Sequence, residues 1–186
     1  MIVLPQADRL IDHVRASLEA VAARDSELGA GDWFRAIASE LATRVHSLGL
    51  KSAQGLYLTQ PFYWDMNGGT RAFADRFMAK DGRRPTDVQA GVYASLLHYL
   101  KAVKKTDSVD ADTVVAAMKD MATDDPLFGR GSVRKNGRVI HDTYVMRVKS
   151  PAESKGPWDY FDLVSTIPGA EAFRPEGQGG CPLVKG

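Results

Sequence analysis

Cysteine is almost absent: Cys181 stands alone in 186 residues, so no disulfide forms within the chain. It also lacks the Cys neighbours or His-x-x-x-His companion of a zinc site, and is expected to be a spectator near the end of the chain. No charge of one sign predominates. With 24 Lys and Arg against 23 Asp and Glu, the net charge is +1, which offers nothing to nucleic acid or an anionic membrane. No apolar run approaches the roughly 20 residues that span a bilayer, so the chain is not expected to be membrane-embedded. At the amino terminus, MIVLPQADRLIDHVR lacks a basic region followed by a long apolar core, because the apolar run stops at Pro5 and charge begins at Asp8. As written, the chain is expected to carry no signal peptide and to stay cytoplasmic.

Catalytic signatures are missing too. Ser47 and Ser52 sit in no Gly-x-Ser-x-Gly elbow, and Gly129, Gly131 and Gly137 fall in a hairpin, not between a strand and a helix. His13, His46, His98 and His141 are scattered without metal-binding spacing, so they are surface or packing residues. Asp124 and Asp125 precede Pro126 and are expected to form a turn, with side chains pointing apart as on any extended segment. No catalytic residue, metal or cofactor is expected. Neither an internal repeat nor a low-complexity tract is present.

What is present is ordinary globular composition, 44% hydrophobic and 25% charged, enough for one domain or two small lobes. Apolar Leu10, Ile11, Val14, Leu18 and Val21 recur at helical steps between Asp8 and Arg24; Phe34, Ile37, Leu41 and Val45 do so between Trp33 and Leu48, with Gly49 as a stop. Leu56 to Thr59 is a short strand that Pro61 ends. Asn67-Gly68-Gly69 opens a helix to about Lys80 with Phe73 and Phe77 on its buried face, and Asp81-Gly82 closes it. Thr86 and Gln89 fit a capping box ahead of a helix whose apolar stripe is Val88, Val92, Leu96, Tyr99 and Val103. Residues 110 to 121 give another helix, with Val114, Val115, Met118 and Met121 inward. Lys135-Asn136-Gly137 is a hairpin turn, and Tyr144 to Lys149 a further strand. From Pro151 the chain turns Pro- and Gly-rich around Trp158, Tyr160 and Phe161, and its last ten residues read as a loose tail.

The motifs VHSLGLKSAQGLYLTQPFYWD, VQAGVYASLLHYLKAV, DDPLFGRGSVRKNGRVIHDTYV, SKGPWDYFDLVSTIPG and GGCPLVK resemble, in order and spacing, the C-terminal part of the type I periplasmic substrate-binding proteins of the leucine/isoleucine/valine-binding family. The resemblance runs from about Thr43 to Lys185; residues 1–42 form a helical segment that does not resemble the family. It implies a partial α/β fold: portions of two Rossmann-like lobes joined by crossover strands, with an extra N-terminal helix, and Gly55 to Trp64 as one crossover. An abrupt onset near Thr43 suggests a truncated or frame-shifted gene.

By that resemblance the chain is not an enzyme but an ABC transporter substrate-binding protein fragment. It takes up a small solute such as a branched-chain amino acid or related carboxylate, with an ABC permease as partner in the intact family and a periplasmic location. Tyr63 and Trp64 either wall the ligand cleft or pack the crossover. Gln89 either offers its amide to a carboxylate at the helix start or serves the capping box. Two alternatives stand beside this: a non-functional truncated remnant that associates through exposed sheet edges as a homo-oligomer, and a small cytoplasmic enzyme using His46 or His141.

Overall fold

The computed structural model describes residues 41–184. The helix expected over Asp8 to Arg24, the start of the one from Trp33 and most of the 1–42 segment lie outside the described residues. Helix α1 (Leu41–Leu48) ends at Gly49, and the single turn α2 (Leu50–Ala53) leads through buried Leu56 into β1 (Tyr57–Gln60). Helix α3 (Gly68–Asp81) begins with a reciprocal cap. Asn67 Oδ1 accepts the N–H groups of Gly69 and Thr70 at 2.8 and 3.0 Å, and Thr70 Oγ1 accepts that of Asn67 at 2.9 Å. It stops at Gly82, whose φ of 76° is a conformation that an L side chain resists. Helix α4 (Asp87–Thr106) starts at Thr86 and α5 (Ala111–Asp120) at Asp110, whose Oδ1 accepts the Thr113 N–H at 2.9 Å.

Strands β2 (Thr123–Asp125), β3 (Gly129–Val133) and β4 (Val139–Ile140) form an antiparallel ribbon with Thr123 opposite Gly131 and Ser132 opposite Ile140. Gly131 has no room for a side chain: a Cβ there would strike the Ile140 carbonyl oxygen. Strands β5 (Thr143–Val148) and β6 (Phe161–Ile167) join β1 in a second three-stranded sheet ordered β1-β5-β6. The short helix α6 (Gly169–Ala172) and two 3-10 turns, Glu176–Gly179 and Pro182–Val184, close the described chain.

Three expectations are corrected. The stripe of Val88, Val92, Leu96 and Tyr99 on α4 is exposed; the buried positions are Ala90, His98 and Ala102. Ala90 sits in a core with Phe62, Phe73 and Leu127, and His98 Nε2 donates to the Met118 carbonyl of α5, so packing on this side decides the buried face against the hydrophobicity pattern. On α5, Val114 is buried but Val115 is exposed. Asp124 and Asp125 are not a bare turn: they belong to β2, because pairing with Arg130 and Gly129 of β3 overrides a low strand propensity.

The described residues divide into two compact units, 41–59 with 145–165, and 60–144 with 166–184. The chain passes between them three times, after Thr59, Tyr144 and Ser165, within β1, β5 and β6 respectively. In the first unit Ala53, Leu56, Leu58, Val145, Met146 and Val148 are buried. In the second, Phe62, Phe73, Ala90 and Leu127 make a core on which Trp64, Phe77, Tyr93 and Phe128 pack. Each large apolar side chain so buried is worth roughly 1.5–3 kcal/mol relative to leaving it in water.

Candidate functional site

Pro61 removes a ladder donor directly after β1, so the strand stops just after the chain enters the second unit at Gln60, and the next three residues belong to that unit. The aromatic run divides there. Phe62 is only 1% exposed and meets Phe73 edge-on, with ring centroids 6.3 Å apart. Tyr63 is buried as well, at 6%, and its ring lies 5.8 Å from that of Trp64. Trp64 is half-buried at the rim of the core. One of its faces carries the guanidinium of Arg84 at 4.2 Å from the ring centroid, and Arg84 Nη1 donates to Asp75 Oδ1 at 2.5 Å.

Gln89 sits on the first turn of α4. Its Oε1 accepts the Thr86 N–H at 2.8 Å and the Thr86 hydroxyl at 2.6 Å, while Thr86 Oγ1 accepts the Val88 N–H at 3.3 Å. The cap therefore occupies the amide oxygen and leaves the NH₂ end of Gln89 with no role in it. All three expected site residues thus lie in the second unit.

A cavity of about 350 Å³ in the same unit is lined by other residues. Tyr63, Trp64 and Gln89 do not contribute to it; His98 and Lys101 of α4, Met118 of α5, and Phe128 and His141 of the ribbon side do. His98 Nε2 donates to the Met118 carbonyl at 2.9 Å, and its Nδ1 has no partner among the described residues. His141 Nδ1 donates to the Asp142 carbonyl at 2.8 Å, and its ring lies between Phe128 and Phe173. With the buried face of α4 assigned to Val88 and Val92, nothing in the sequence pattern marked His98 as interior.

The first unit gathers charge and aromatics of its own. The His46 ring stacks on Trp158 at 4.3 Å with 3° between the planes, and His46 Nδ1 lies 2.5 Å from the Tyr160 hydroxyl. Nearby, Lys149 pairs with Asp159. Burial pushes the Asp159 carboxyl up, but the Lys149 ammonium and the Lys155 N–H at 2.8 Å outweigh it and hold the group below the ordinary carboxylate range. This is an ion pair held within one unit, suited to fixing the β5–β6 connection.

Among the described residues no helix is long and apolar enough to cross a membrane. The family model described as "Periplasmic binding protein" matches residues 16–157, starting upstream of Thr43. A periplasmic binding protein from Burkholderia mallei is 38% identical over 91% of this chain and 45% of its own, with a TM-score of 0.75. A branched chain amino acid ABC transporter periplasmic ligand-binding protein from Burkholderia xenovorans LB400 is 43% identical over 77% of this chain and 38% of its own, with a TM-score of 0.74. An amino acid ABC transporter substrate-binding protein from Pseudomonas fluorescens Pf-5 is 25% identical over 75% of this chain and 37% of its own, at 0.65. No curated protein gives a significant match. The chain spans less than half the length of each of these solved structures, and the α/β fold described above is accordingly a partial type I periplasmic-binding-protein fold.

Proposed function

The chain belongs to the periplasmic binding protein family, and from that premise we propose that it is part of the solute receptor of an ABC importer, acting in the periplasm on a branched-chain amino acid or related carboxylate. No bond is made or broken. Two lobes close on the solute, and the membrane permease recognises the closed form, a shift between two populations of a hinged protein. The amino acid class comes from the Burkholderia xenovorans relative, whose identity to this chain is 43%.

The observation that carries the reading is the threefold passage of the chain between its units, with Tyr63 and Trp64 immediately past the first crossing. In this reading Trp64 offers the solute an aromatic wall and Tyr63 supports it from behind. Gln89 directs its NH₂ group to the solute carboxylate at the positive end of α4. A thermal-shift screen of leucine, valine, threonine and benzoate, followed by calorimetric titration, tests it. Stabilisation by one of these, with affinity reduced at least tenfold in Trp64→Ala, is expected. Absence of any shift, alone and with the missing part of the fold supplied, overturns it.

One observation favours the reading as a non-functional remnant: large apolar side chains such as Val92 and Leu96 stand exposed. Size-exclusion chromatography separates the two, since a remnant elutes as an aggregate whatever solute is added.

A further inference from the structure

The cavity in the second unit is bounded by three of that unit's elements. Helix α4 supplies Ala94 and His98, α5 supplies Met118, and the β2–β3–β4 ribbon supplies Val133 and Val139. At about 350 Å³ it falls within the range of small-molecule sites, roughly 300–1,000 Å³. Its walls are mainly apolar, and Tyr63, Trp64 and Gln89 are not among them. It is therefore a second concavity, apart from the proposed solute site.

Polar groups on its walls differ in what they already hold. Lys101 Nζ donates to the Asp124 carbonyl at 2.5 Å, and Asp125 Oδ1 accepts the N–H groups of Leu127 and Phe128 at 2.8 and 2.9 Å. His98 is only half engaged. The residue is 6% exposed and its Nε2 donates to the Met118 carbonyl at 2.9 Å, while its Nδ1 is buried with no hydrogen-bond partner among the described residues. A carbonyl only accepts, so Nε2 carries the proton, and in the neutral ring Nδ1 is left as an acceptor. Buried polar atoms in folded proteins nearly always have a partner. An unpaired nitrogen on a residue that walls a cavity is a group for a bound molecule to complete.

His141 is fixed in the same sense. Its Nδ1 donates to the Asp142 carbonyl at 2.8 Å, so in the neutral ring the remaining nitrogen accepts. Two imidazole acceptors offer nothing to a carboxylate and reward a hydroxyl or an N–H. The apolar walls narrow the class further, because the Phe128 ring and the Met118 thioether both favour an aromatic partner.

We propose that this cavity is a second ligand site, taking a neutral one- or two-ring aromatic molecule whose O–H or N–H donates to His98 Nδ1. Its chemistry is opposite in sign to that of a site for a carboxylate solute, and it stands whether or not the chain binds an amino acid.

Indole and 1-methylindole are the probes: the same ring system with and without the donor, in a cavity with room for the added methyl group. The full 186-residue chain, isotope-labelled at methionine methyl groups and histidine nitrogens, is titrated with each and followed by NMR. Indole is expected to shift the Met118 methyl signal, to move the His98 Nδ1 signal in the direction of an acceptor that has gained a hydrogen bond, and to bind about tenfold more tightly than 1-methylindole. Ala94→Leu, which fills part of the cavity from α4, weakens both compounds about tenfold or more. His98→Phe keeps a ring and removes the acceptor, so the two compounds then bind equally. Should that variant fail to fold, the Nδ1 signal of the native chain decides the point. An unmoved Met118 methyl up to the solubility limit, a stationary Nδ1, equal binding of the two compounds by the native chain, or binding indifferent to Ala94→Leu overturns the proposal. So does indole binding that Trp64→Ala abolishes and Ala94→Leu spares, which assigns the aromatic to the solute site. Leucine binding without indole binding removes this proposal and retains the solute reading; indole binding without leucine binding does the reverse.

Discussion

Arg84 lies over Trp64, its guanidinium carbon 4.2 Å from the ring centroid, and its Nη1 donates to Asp75 Oδ1 at 2.5 Å. The ion pair is half in water, since Asp75 is 68% exposed, and such pairs contribute about 0–1 kcal/mol. The cation–π contact contributes roughly 0.5–2 kcal/mol depending on desolvation. Arg84→Ala is therefore expected to destabilise by about 1–2 kcal/mol, and Asp75→Ala by less than about 0.5 kcal/mol, in urea melts followed by Trp fluorescence. An Asp75→Ala loss as large as that of Arg84→Ala would assign the stabilisation to the ion pair instead. Arg84→Lys is expected to recover only part of the loss, because an ammonium lacks the planar face that stacks on an indole.

The cap at the start of α4 separates a structural role for Gln89 from a solute-binding one. Thr86→Ala removes an N-cap acceptor and is expected to cost about 1 kcal/mol of stability. Gln89→Glu keeps an oxygen where Thr86 donates, so its melting temperature is expected to stay unchanged or rise, since a negative charge suits a helix N-terminus. The same substitution replaces the NH₂ donor by an anion, so affinity for a carboxylate solute falls at least tenfold if Gln89 contacts it. Unchanged affinity in calorimetry, together with unchanged stability, would confine Gln89 to the cap.

The features legible in the sequence are those fixed by chemistry within a few residues. Asn67 with Thr70, Thr86 with Gln89, and Gly82 past the end of α3 are caps and stops whose partners lie within one turn, and the turn at Gly137 is equally local. The strand exit at Pro61 and the aromatic run behind it were legible for the same reason. Where a distant neighbour decides, the sequence pattern misleads. The buried face of α4 carries Ala90, His98 and Ala102, where Ala90 meets Phe62, Phe73 and Leu127 and His98 bonds to Met118 of α5, while larger side chains such as Val92 and Leu96 stand exposed. Residues 123–125 form a strand because β3 pairs with them, although two of the three are Asp. Strand β6, within a Pro- and Gly-rich segment, takes its place from β5. Of the candidate site residues, Tyr63 and Trp64 are marked by the sequence pattern, whereas Arg84, whose guanidinium lies over one face of Trp64, belongs to the loop between two helices and carries no local signal.

Acid is expected to weaken the β5–β6 region of the first unit through one exposed carboxylate. Arg147 donates to both oxygens of Glu153, at 2.8 and 3.3 Å, and the Ser150 N–H donates to it at 2.7 Å. The Arg147 hydrogen bonds come first among the causes and the Ser150 N–H second, and together they bring the Glu153 carboxyl from 4.5 down to about 2. Because the folded value lies below the unfolded one, the contribution is fully present above about pH 4.5 and is lost as pH falls toward 2. Glu153→Gln abolishes it. The difference in urea midpoint between the native chain and Glu153→Gln is therefore expected to be constant from pH 7 to about 5 and to shrink steadily below that. Arg147 also donates to Asp162 at 2.6 Å, so the guanidinium keeps one partner in the variant and the sheet stays folded at neutral pH. A difference that stayed constant on acidification would mean that Glu153 keeps its ordinary value, and one that grew would mean that it is held above it; either would exclude the two-oxygen grip of Arg147 as the dominant contact in solution.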